Sequence, residues 1–386
     1  MKTIYLDNNA TTMVAPEVVE AMEPYWSEFY GNPSSTHSFG GMVGKKMEAA
    51  REQVAAMLGA TAEEIVFTGC GSESDNLAVL GTLESAPPGK RHIITTRVEH
   101  PAVQGVCHNL RNKGYMVTEL GVNSDGALDL QELVDSITPH TALVSIMWAN
   151  NETGVIFPIE EIARIVKTRG VLLHTDAVQV AGKMPIDVGE VPVDLLALSG
   201  HKLHAPKGIG VLYVRKGTKI TPLIQGGHQE GGKRAGTENI PVIIGLGRAC
   251  ELALEHMGQD NERMRKLRDK LETGILASCK DVRINGKDRL PNTLNVSFEY
   301  IEGESILLLL DDLGICASSG SACTSGSLEP SHVMRALGIP FTAVHGSIRF
   351  SLSRYNTEAE IDYVLEHLPK IVGRLRDISP FTRQRA

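Results

Sequence analysis

The sequence Asp194-Leu-Leu-Ala-Leu-Ser-Gly-His-Lys-Leu-His-Ala-Pro-Lys-Gly-Ile-Gly210 places a lysine between two apolar runs. The first run, at 195–198, predicts a buried strand, and the second, at 209–214, predicts another. Lys202 follows the end of the first strand, next to a hydroxyl and an imidazole. Ligands bind at such strand ends in open α/β sheets, and burial there favours the uncharged, nucleophilic form of an amine. The stretch therefore predicts a reactive lysine, although a lone lysine in a loop is more often a surface residue.

Short apolar runs alternate with amphipathic segments along most of the chain. We predict strands at 64–68, 92–96, 115–120, 142–148 and 171–174, and helices at 73–83, 101–110, 128–137 and 159–166. Such alternation predicts an α/β fold with a mostly parallel sheet and helices on both faces. A long amphipathic helix at 259–278 and shorter elements after it predict a smaller α+β domain. We therefore expect a large domain at 17–256 and a small domain formed by 1–16 and 257–386.

Composition narrows the classes of protein to which this chain can belong. The 386 residues are 42% hydrophobic and carry a net charge of −8, so bulk charge does not favour a nucleic-acid partner. No apolar stretch approaches the length of a membrane span, and the polar N-terminus is unlike a signal peptide. The six cysteines are scattered without a C-x-x-C pair, which argues against a disulfide framework or a zinc site. We expect a soluble cytoplasmic protein with free thiols and no metal.

The strand predicted at 64–68 runs directly into Gly69-Cys-Gly-Ser72, after which a helix is predicted. Backbone N–H groups at a helix N-terminus bind anions, and glycine lets the main chain approach a phosphate closely. Gly71 and Ser72 are therefore candidate phosphate ligands. Ser72 is equally compatible with a plain helix N-cap, which needs no ligand.

Further polar side chains follow other predicted strands: Asp176, His100 and the pair Asn150-Asn151. A buried aspartate needs a positive partner, a histidine can stack on a planar ligand or carry protons, and amides orient polar groups. Each has an ordinary interpretation as well: an N-cap, a structural histidine and a turn. Because strand ends of a parallel sheet share one edge, we expect these groups to gather near Lys202. Together they match pyridoxal 5′-phosphate, which is held by its phosphate, its ring nitrogen and a bond to lysine.

Seven segments, spread over essentially the whole chain, resemble the cysteine desulfurases of the class-V aminotransferase family, which are fold-type I pyridoxal-phosphate enzymes. They are Tyr5-Leu-Asp-Asn-Asn-Ala-Thr-Thr, Gly31-Asn-Pro-Ser-Ser, Glu99-His-Pro, Ala149-Asn-Asn-Glu-Thr-Gly, His174-Thr-Asp-Ala-Val-Gln, Leu198-Ser-Gly-His-Lys and Arg234-Ala-Gly-Thr-Glu-Asn. The small-residue stretch at 318–328 resembles the long mobile cysteine loop of the NifS/IscS branch. Residues 226–230 and 339–345 are most similar to NifS-type sequences, which serve nitrogenase assembly.

The resemblance implies how the cofactor is held. Lys202 is implied to bind the cofactor aldehyde covalently and later to move a proton. Asp176 is implied to pair with the ring nitrogen, Gln179 to hydrogen-bond the ring hydroxyl, and His100 to stack on the ring and assist proton transfer. Asn151 is also implied to contact the cofactor. The residues implied to hold the phosphate are Gly71, Ser72, Ser199 and His201.

The resemblance also implies the substrate, the nucleophile and the partners. Asn151 and Arg349 are implied to bind the carboxylate of L-cysteine, Arg349 as a two-pronged fork. Thr237 is implied to reach the phosphate in the other subunit of a homodimer. Cys323 is implied to be the nucleophile that takes the sulfur as a persulfide and passes it to an iron–sulfur scaffold or another acceptor protein.

The residues around Cys323 support that role independently. Serine, glycine, alanine and threonine gain little by packing, so the segment is expected to be mobile, which suits a thiol that carries sulfur. Cys316, after Leu313-Gly-Ile315, is expected in the core instead. Three alternatives remain open: another pyridoxal-phosphate enzyme such as an aminotransferase, a non-catalytic sulfur carrier, and a nicotinamide dehydrogenase. The set of Lys202, Asp176 and His100 argues against the second, and the lack of an early G-x-G-x-x-G argues against the third.

Overall fold

The computed structural model describes residues 3–319 and 330–380. The strands are β1 (Ile4–Tyr5), β2 (Ile65–Thr68), β3 (His92–Thr96), β4 (Met116–Leu120), β5 (Thr141–Ser145), β6 (Leu172–Asp176), β7 (Leu195–Ser199), β8 (Gly210–Val214), β9 (Val282–Ile284), β10 (Thr293–Phe298), β11 (Ile315–Cys316) and β12 (Ser347–Ser351). The helices are α1 (Pro16–Met22), α2 (Pro24–Ser27), α3 (Ser38–Leu58), α4 (Gly71–Ser85), α5 (Pro101–Asn112), α6 (Leu130–Ser136), α7 (Ile159–Thr168), α8 (Ile240–Ser278), α9 (Gly303–Asp311), α10 (His332–Ala336), α11 (Phe341–Val344) and α12 (Glu358–Ile378).

A seven-stranded sheet in the order β2-β8-β7-β6-β5-β3-β4 forms the centre of the molecule. β8 is antiparallel to both of its neighbours, β2 and β7, whereas the other pairs are parallel. All strands of this sheet except β8 therefore point the same way, and the predicted mostly parallel α/β fold is confirmed. Their carboxyl ends lie along one edge of the sheet, where ligands bind in open α/β sheets.

The strand predicted at 142–148 is assigned to β5 only as far as Ser145, but its pairing continues. The N–H of Ile146 donates to the carbonyl of His174, and the N–H of Trp148 donates to the carbonyl of Asp176. This extension carries the chain along β6 to its last residue. It thereby brings the amides at 150–151 to the edge of the sheet where Asp176 lies.

A second hydrophobic core lies outside the large sheet. It contains Ile4 and Leu6 from the N-terminal arm together with buried residues between 264 and 372. β12, β10 and β9 form an antiparallel sheet in this part of the chain, and β1 pairs in parallel with β11. The arm thus belongs to the same core as the C-terminal third. The division at 16/17 and 256/257 stays a prediction, and the second of these boundaries falls inside a continuous helix.

That helix is α8, and its predicted start at residue 259 is wrong. It begins at Ile240; its first half packs in the core of the large sheet, whereas its second half, from Met264 to Ile275, packs in the second core. The first half of α8 was not predicted from the sequence, because its glycines lower helix propensity. Close packing explains one of them, because a Cβ at Gly247 would lie 2.8 Å from the Cβ of Ala50 in α3.

Within the described residues, none of the helices combines the length and the apolar character needed to cross a membrane. The thiols of Cys107, Cys250 and Cys279 are free and buried, whereas Cys70 is free and exposed. Cys316, which we expected in the core, is only partly buried, because β11 is a two-residue strand paired on one side with β1.

Candidate active site

A cavity of about 250 Å³ opens at the carboxyl edge of the large sheet. All predicted site residues that the structure describes, except Thr237, line it: Gly71, Ser72, His100, Asn151, Asp176, Gln179, Ser199, His201, Lys202 and Arg349. These residues come from segments at or after the ends of β2, β3, β5, β6 and β7, and from β12. The fold therefore brings together groups that lie far apart in the sequence.

A second cavity, of about 720 Å³, lies away from this site, around Arg51 and Glu230. None of the predicted site residues lines it. Its walls include a buried ion pair in which Nη1 of Arg51 is 2.7 Å from Oε2 of Glu230. Because these charges already satisfy each other, the smaller cavity is the better candidate for chemistry.

Lys202 lies in the helical turn Gly200–Lys202 that follows β7. Its Nζ donates hydrogen bonds to the carbonyl of Asn9 at 2.6 Å and to the carbonyl of Ala10 at 2.8 Å. Glycine is required at position 200, since a Cβ there would lie 2.7 Å from Cγ2 of Ile209. The N-terminal arm thus holds the amine at the cavity wall, close to where the strand ends.

The first turn of α4 forms the part of the cavity suited to an anion. Helix α4 begins at Gly71, and the Sγ of Cys70 accepts a hydrogen bond from the N–H of Glu73 at 3.4 Å. Cys70 is therefore the N-cap, and the alternative interpretation of Ser72 as the N-cap is wrong. A Cβ at Gly71 would lie 3.0 Å from the Cβ of Ser199, so the glycine keeps this end of the cavity open. The main-chain N–H groups of a first helical turn, together with the helix dipole, favour a phosphate here.

His201 also lines the cavity. Its Nδ1 is 3.1 Å from Oγ1 of Thr11. Burial, with the nearby charge of Lys202, lowers the pKa of His201 to about 4, so its ring is neutral near pH 7. It can therefore offer a neutral hydrogen bond to a phosphate.

Asp176 is the last residue of β6 and is buried. Its Oδ1 accepts a 2.9 Å hydrogen bond from the N–H of Val178. Burial raises the pKa of Asp176, whereas the neighbouring His100 and Lys202 oppose that rise. A buried carboxylate is stable as an anion only with a cationic partner, which the protonated ring nitrogen of a pyridine would supply.

Two more buried acids, Asp75 and Glu99, lie near Asp176. Burial raises the pKa of Asp75 well above its usual value and raises that of Glu99 to about 8. Nε2 of His174 lies 3.5 Å from Oδ1 of Asp75, but burial lowers the pKa of His174 to about 3. This contact is therefore between neutral groups and is not a salt bridge. Burial raises the pKa of Asp176 too, but Asp176 differs from Asp75 in having positive neighbours, His100 and Lys202, that oppose the rise.

His100 is the N-cap of α5, and its Nδ1 accepts a 3.1 Å hydrogen bond from the N–H of Ala102. Burial lowers the pKa of His100, with Asp176 acting in the opposite direction. In the neutral ring the proton therefore lies on Nε2, because Nδ1 is an acceptor. The residue is both the structural N-cap and a wall of the cavity.

Gln179 has one unmet hydrogen-bonding group that fits a ligand. Its Nε2 donates to the carbonyl of Asn9 at 3.1 Å, whereas its buried Oε1 has no hydrogen-bond partner within the described residues. A buried acceptor of this kind is costly unless a donor reaches it. The ring hydroxyl of pyridoxal phosphate is such a donor.

Arg349 enters the cavity from β12 and is buried. Its Nη2 donates to Oδ1 of Asp7 at 2.7 Å, and its Nη1 donates to the carbonyl of Asn151 at 2.9 Å. The Nε has no hydrogen-bond partner among the residues that the structure describes. A guanidinium with an unmet donor suits a carboxylate ligand.

Several residues that line the cavity were not predicted from the sequence: Asn9, Ala10, Asp75, Met147 and Val178. Asp75 lies four residues after Gly71, so helical spacing places it on the same face of α4 and could have revealed it. In the sequence, Asn9 is marked only as part of the segment Tyr5-Leu-Asp-Asn-Asn-Ala-Thr-Thr, without a role of its own. Its proximity to Lys202 depends on the return of the N-terminal arm, for which the local pattern contains no signal.

The remaining predicted residues are Thr237, which does not line the cavity, and Cys323, which the structure does not describe. Thr237 is exposed in the segment before α8, and its contact with another subunit stays a prediction. Cys323, with most of the stretch at 318–328, lies outside the described residues. The described flanks are attached close to the cavity. The N–H of Arg349 donates to the carbonyl of Ser318 at 2.6 Å, and Oγ of Ser331 donates to Oε2 of Glu152 at 2.5 Å.

Comparison with known proteins agrees with this geometry. The family described as aminotransferase class-V matches residues 4–364. A cysteine desulfurase from Nostoc sp. is 61% identical, with 100% of this chain and 97% of that protein covered. The cysteine desulfurase NifS of Azotobacter vinelandii is 57% identical, with 99% and 95% covered. A solved NifS-like protein superposes with a TM-score of 0.92 at 42% identity, covering 97% of this chain and 100% of the other. The predicted resemblance is confirmed: the chain belongs to the class-V aminotransferase family and, within it, to the cysteine desulfurases.

Proposed function

We propose that this chain uses pyridoxal 5′-phosphate to convert L-cysteine to L-alanine, and that Cys323 receives the sulfur as a persulfide. The observation that carries the proposal is the shared cavity: a lysine, a buried aspartate and a helix N-terminus line the same space. That combination matches the aldehyde, the ring nitrogen and the phosphate of one cofactor.

The residues present fit the cofactor at each of its polar groups. Lys202 would bind the aldehyde, Asp176 would pair with the ring nitrogen, and the unmet Oε1 of Gln179 would accept from the ring hydroxyl. The N-terminus of α4 would hold the phosphate. The residues expected to assist there are Gly71, Ser72, Ser199 and His201. When bound, the cofactor draws electrons away from the substrate Cα.

The protein's own groups account for substrate orientation and proton transfer. The guanidinium of Arg349, aided by Asn151, would hold the carboxylate of L-cysteine. The Nζ of Lys202, once released from the cofactor, would remove the proton from Cα. The Nε2–H of His100 would act as a second proton carrier, since its neutral ring can donate there. Exclusion of water by the buried walls strengthens these interactions.

The sulfur-transfer step assigned to Cys323 balances without an added oxidant. The thiolate of Cys323 attacks the substrate sulfur, an S–S bond forms, and the bond between sulfur and Cβ breaks. The electron pair of the broken bond remains on the carbon fragment, which takes up protons and becomes alanine. Because the thiolate is the attacking form, the rate should fall at acid pH.

We further propose the setting in which the enzyme works. The similarity to NifS of Azotobacter vinelandii supports a role in iron–sulfur cluster assembly, with nitrogenase as the destination. A scaffold or other acceptor protein would then take the persulfide sulfur. Thr237, exposed and outside its own cavity, would complete the phosphate site of a second subunit in a homodimer. We expect this to occur in the cytoplasm, where thiols stay reduced.

The proposal is tested by replacing the nucleophile. Cys323→Ala should bind the cofactor and L-cysteine, as absorbance spectra would report, yet form no alanine and no protein persulfide. Cys316→Ala is the matched control, because it removes a nearby thiol that does not line the cavity, and it should keep both products. Full alanine formation by Cys323→Ala would refute the sulfur-transfer step. Production of a keto acid with no sulfur release would favour an aminotransferase instead.

A further inference from the structure

A second buried lysine lies next to Lys202. Lys183 is 8% exposed, and its Nζ donates to the carbonyl of Gln179 at 3.1 Å and to the carbonyl of Lys202 at 3.4 Å. Within the described residues, both acceptors of this amine are therefore main-chain carbonyls rather than carboxylates. The side chain of Asn261 in α8 donates to the carbonyl of Lys183 at 2.8 Å and so fixes its main chain.

The two carbonyls that Lys183 contacts belong to different segments of the cavity wall. Gln179 follows β6, and Lys202 follows β7. The amine of Lys183 therefore links the main chain of Lys202, which would bind the cofactor aldehyde, to the main chain of Gln179, whose Oε1 has no partner within the described residues. A shift of either segment would misplace a group that must meet the ring.

The pKa of Lys183 depends on burial and on the charge of its neighbour Lys202. Burial, followed by the charge of Lys202, lowers the pKa of Lys183 to about 7. The effect of charge is mutual, because each positive group disfavours the other. The pKa values of His201 and His204 are lowered to about 4, mainly by burial, so these rings are neutral where Lys183 titrates.

Two other charged groups that line a cavity with Lys183 are paired with each other. Asp260 and Arg354 line the same small cavity as Lys183 and Lys202. Oδ2 of Asp260 lies 3.3 Å from Nε of Arg354, so this carboxylate has its own cation. The interaction between the two lysines is therefore the main charge coupling that a substitution of Lys183 would change.

We propose that Lys183 is a positioning residue for the desulfurase site: it holds Gln179 and Lys202 in register, and while it is protonated its charge favours the uncharged form of the Lys202 amine. This inference rests on the proposed function, since it concerns how Lys202 meets the cofactor. A neighbouring cation is one of the general ways to make a lysine nucleophilic. Lys183 acts through Lys202 and Gln179 and has no direct part in the chemistry.

The experiment uses the full chain loaded with pyridoxal 5′-phosphate, without L-cysteine, and follows visible absorbance against pH. In Lys183→Met the midpoint of the lysine–cofactor titration should rise by about half a pH unit or more, because the positive charge that Lys183 carries below its pKa of about 7 is lost. The dissociation constant of the cofactor should rise by about tenfold, because two carbonyls lose their donor. Lys183→Arg carries a positive charge throughout the titration, so its midpoint should not rise above that of the parent.

Two more variants separate the possible explanations. Lys183→Gln keeps a donor but loses the charge, so its midpoint should rise while its cofactor affinity stays within about threefold of the parent; it also carries the test if Lys183→Met does not fold. Lys207→Met removes an exposed charge nearby and should change neither quantity. Unshifted midpoints in the neutral variants of Lys183 would overturn this inference alone. A parent protein with no visible cofactor band would overturn the proposed function and this inference with it.

Discussion

The guanidinium of Arg349 donates a 2.7 Å hydrogen bond to the carboxylate of Asp7, so the N-terminal arm holds the arginine that we assign to the substrate. Asp7 also forms a β-bridge with Ser351 of β12. Since Nη1 of Arg349 is engaged by the carbonyl of Asn151, the guanidinium is fixed from two sides while its Nε remains unmet within the described residues. The guanidinium of Arg349 is therefore already oriented before the substrate binds.

Arg349→Lys should raise the KM for L-cysteine by about tenfold or more, because an ammonium cannot form the two parallel hydrogen bonds of a guanidinium fork. The value of kcat should fall less, since the reacting groups are unchanged. Alanine formation at varied L-cysteine concentration measures both constants. Arg374→Lys, an exposed change in α12, is the control and should leave them as they are. Equal KM values for Arg349→Lys and the parent would remove Arg349 from substrate binding.

Gly71→Ala should weaken binding of pyridoxal 5′-phosphate by about tenfold, because the new Cβ narrows the anion site and pushes the main chain away from the phosphate. The Cβ would lie 3.0 Å from the Cβ of Ser199 and 3.1 Å from Cγ2 of Val178. Equilibrium titration of the cofactor-stripped protein gives the dissociation constant.

The control for that change is Gly105→Ala, also within a helix but with no atom within 4 Å of the new Cβ. It should leave cofactor affinity unchanged and stabilise the fold by about 0.5–1 kcal/mol, the usual gain for alanine over glycine in a helix. If both alanine variants bound the cofactor as tightly as the parent, the first turn of α4 would not be the phosphate site.

The strand ends around the cavity could be predicted because each is marked by a change from apolar to polar residues along the chain. The apolar run at 195–198 stops where the polar segment of His201 and Lys202 begins, and the run before Asp176 stops in the same way. Strand direction then follows from the alternation with helices, so these groups share one edge. The parts of the site that depend on local pattern were therefore accessible from the sequence.

The parts that were missed depend on contacts between distant segments. The carbonyl of Asn9 accepts hydrogen bonds from both Lys202 and Gln179, although 193 residues separate it from the lysine. The start of α8 was missed for a related reason, since Gly247 serves close packing against Ala50 at the expense of helix propensity. Tertiary packing determines which residues occupy such positions, and the periodicity of apolar residues does not reflect it.

Glu99→Gln should change how stability depends on pH. The carboxyl of Glu99 accepts from Oγ1 of Thr96 and from the N–H of Met147, yet burial still raises its pKa from 4.5 to about 8. Between these values the folded protein binds a proton that the unfolded chain has lost, so stability falls as pH rises. The loss attributable to Glu99 at pH 8 is on the order of 4 kcal/mol, from 1.36 kcal/mol per pH unit.

Thermal unfolding of the cofactor-loaded protein at pH 5 and pH 8 measures this effect. Between the two pH values, the melting temperature of the parent should fall several degrees further than that of Glu99→Gln. Glu132→Gln, an exposed change in α6, should behave as the parent does. An identical loss in Glu99→Gln and the parent would mean that this carboxyl is not protonated in the folded state.

Asp176→Asn should lower kcat by on the order of 100-fold, because an amide cannot balance the positive charge of a protonated ring nitrogen as a carboxylate does. Burial raises the pKa of Asp176 as it does those of Asp75 and Glu99, but the positive neighbours His100 and Lys202 oppose the rise at Asp176. Alanine formation at saturating L-cysteine gives kcat, and absorbance verifies that the cofactor is bound.

The control for that substitution is Asp135→Asn, an isosteric change on the exposed surface of α6, which should leave kcat unchanged. Loss of charge can be separated from loss of fold, because the amide oxygen in Asp176→Asn can still accept the hydrogen bond from the N–H of Val178. The melting temperature should therefore stay close to that of the parent while kcat falls. A variant that kept the parental kcat with bound cofactor would show that the ring nitrogen does not depend on this carboxylate.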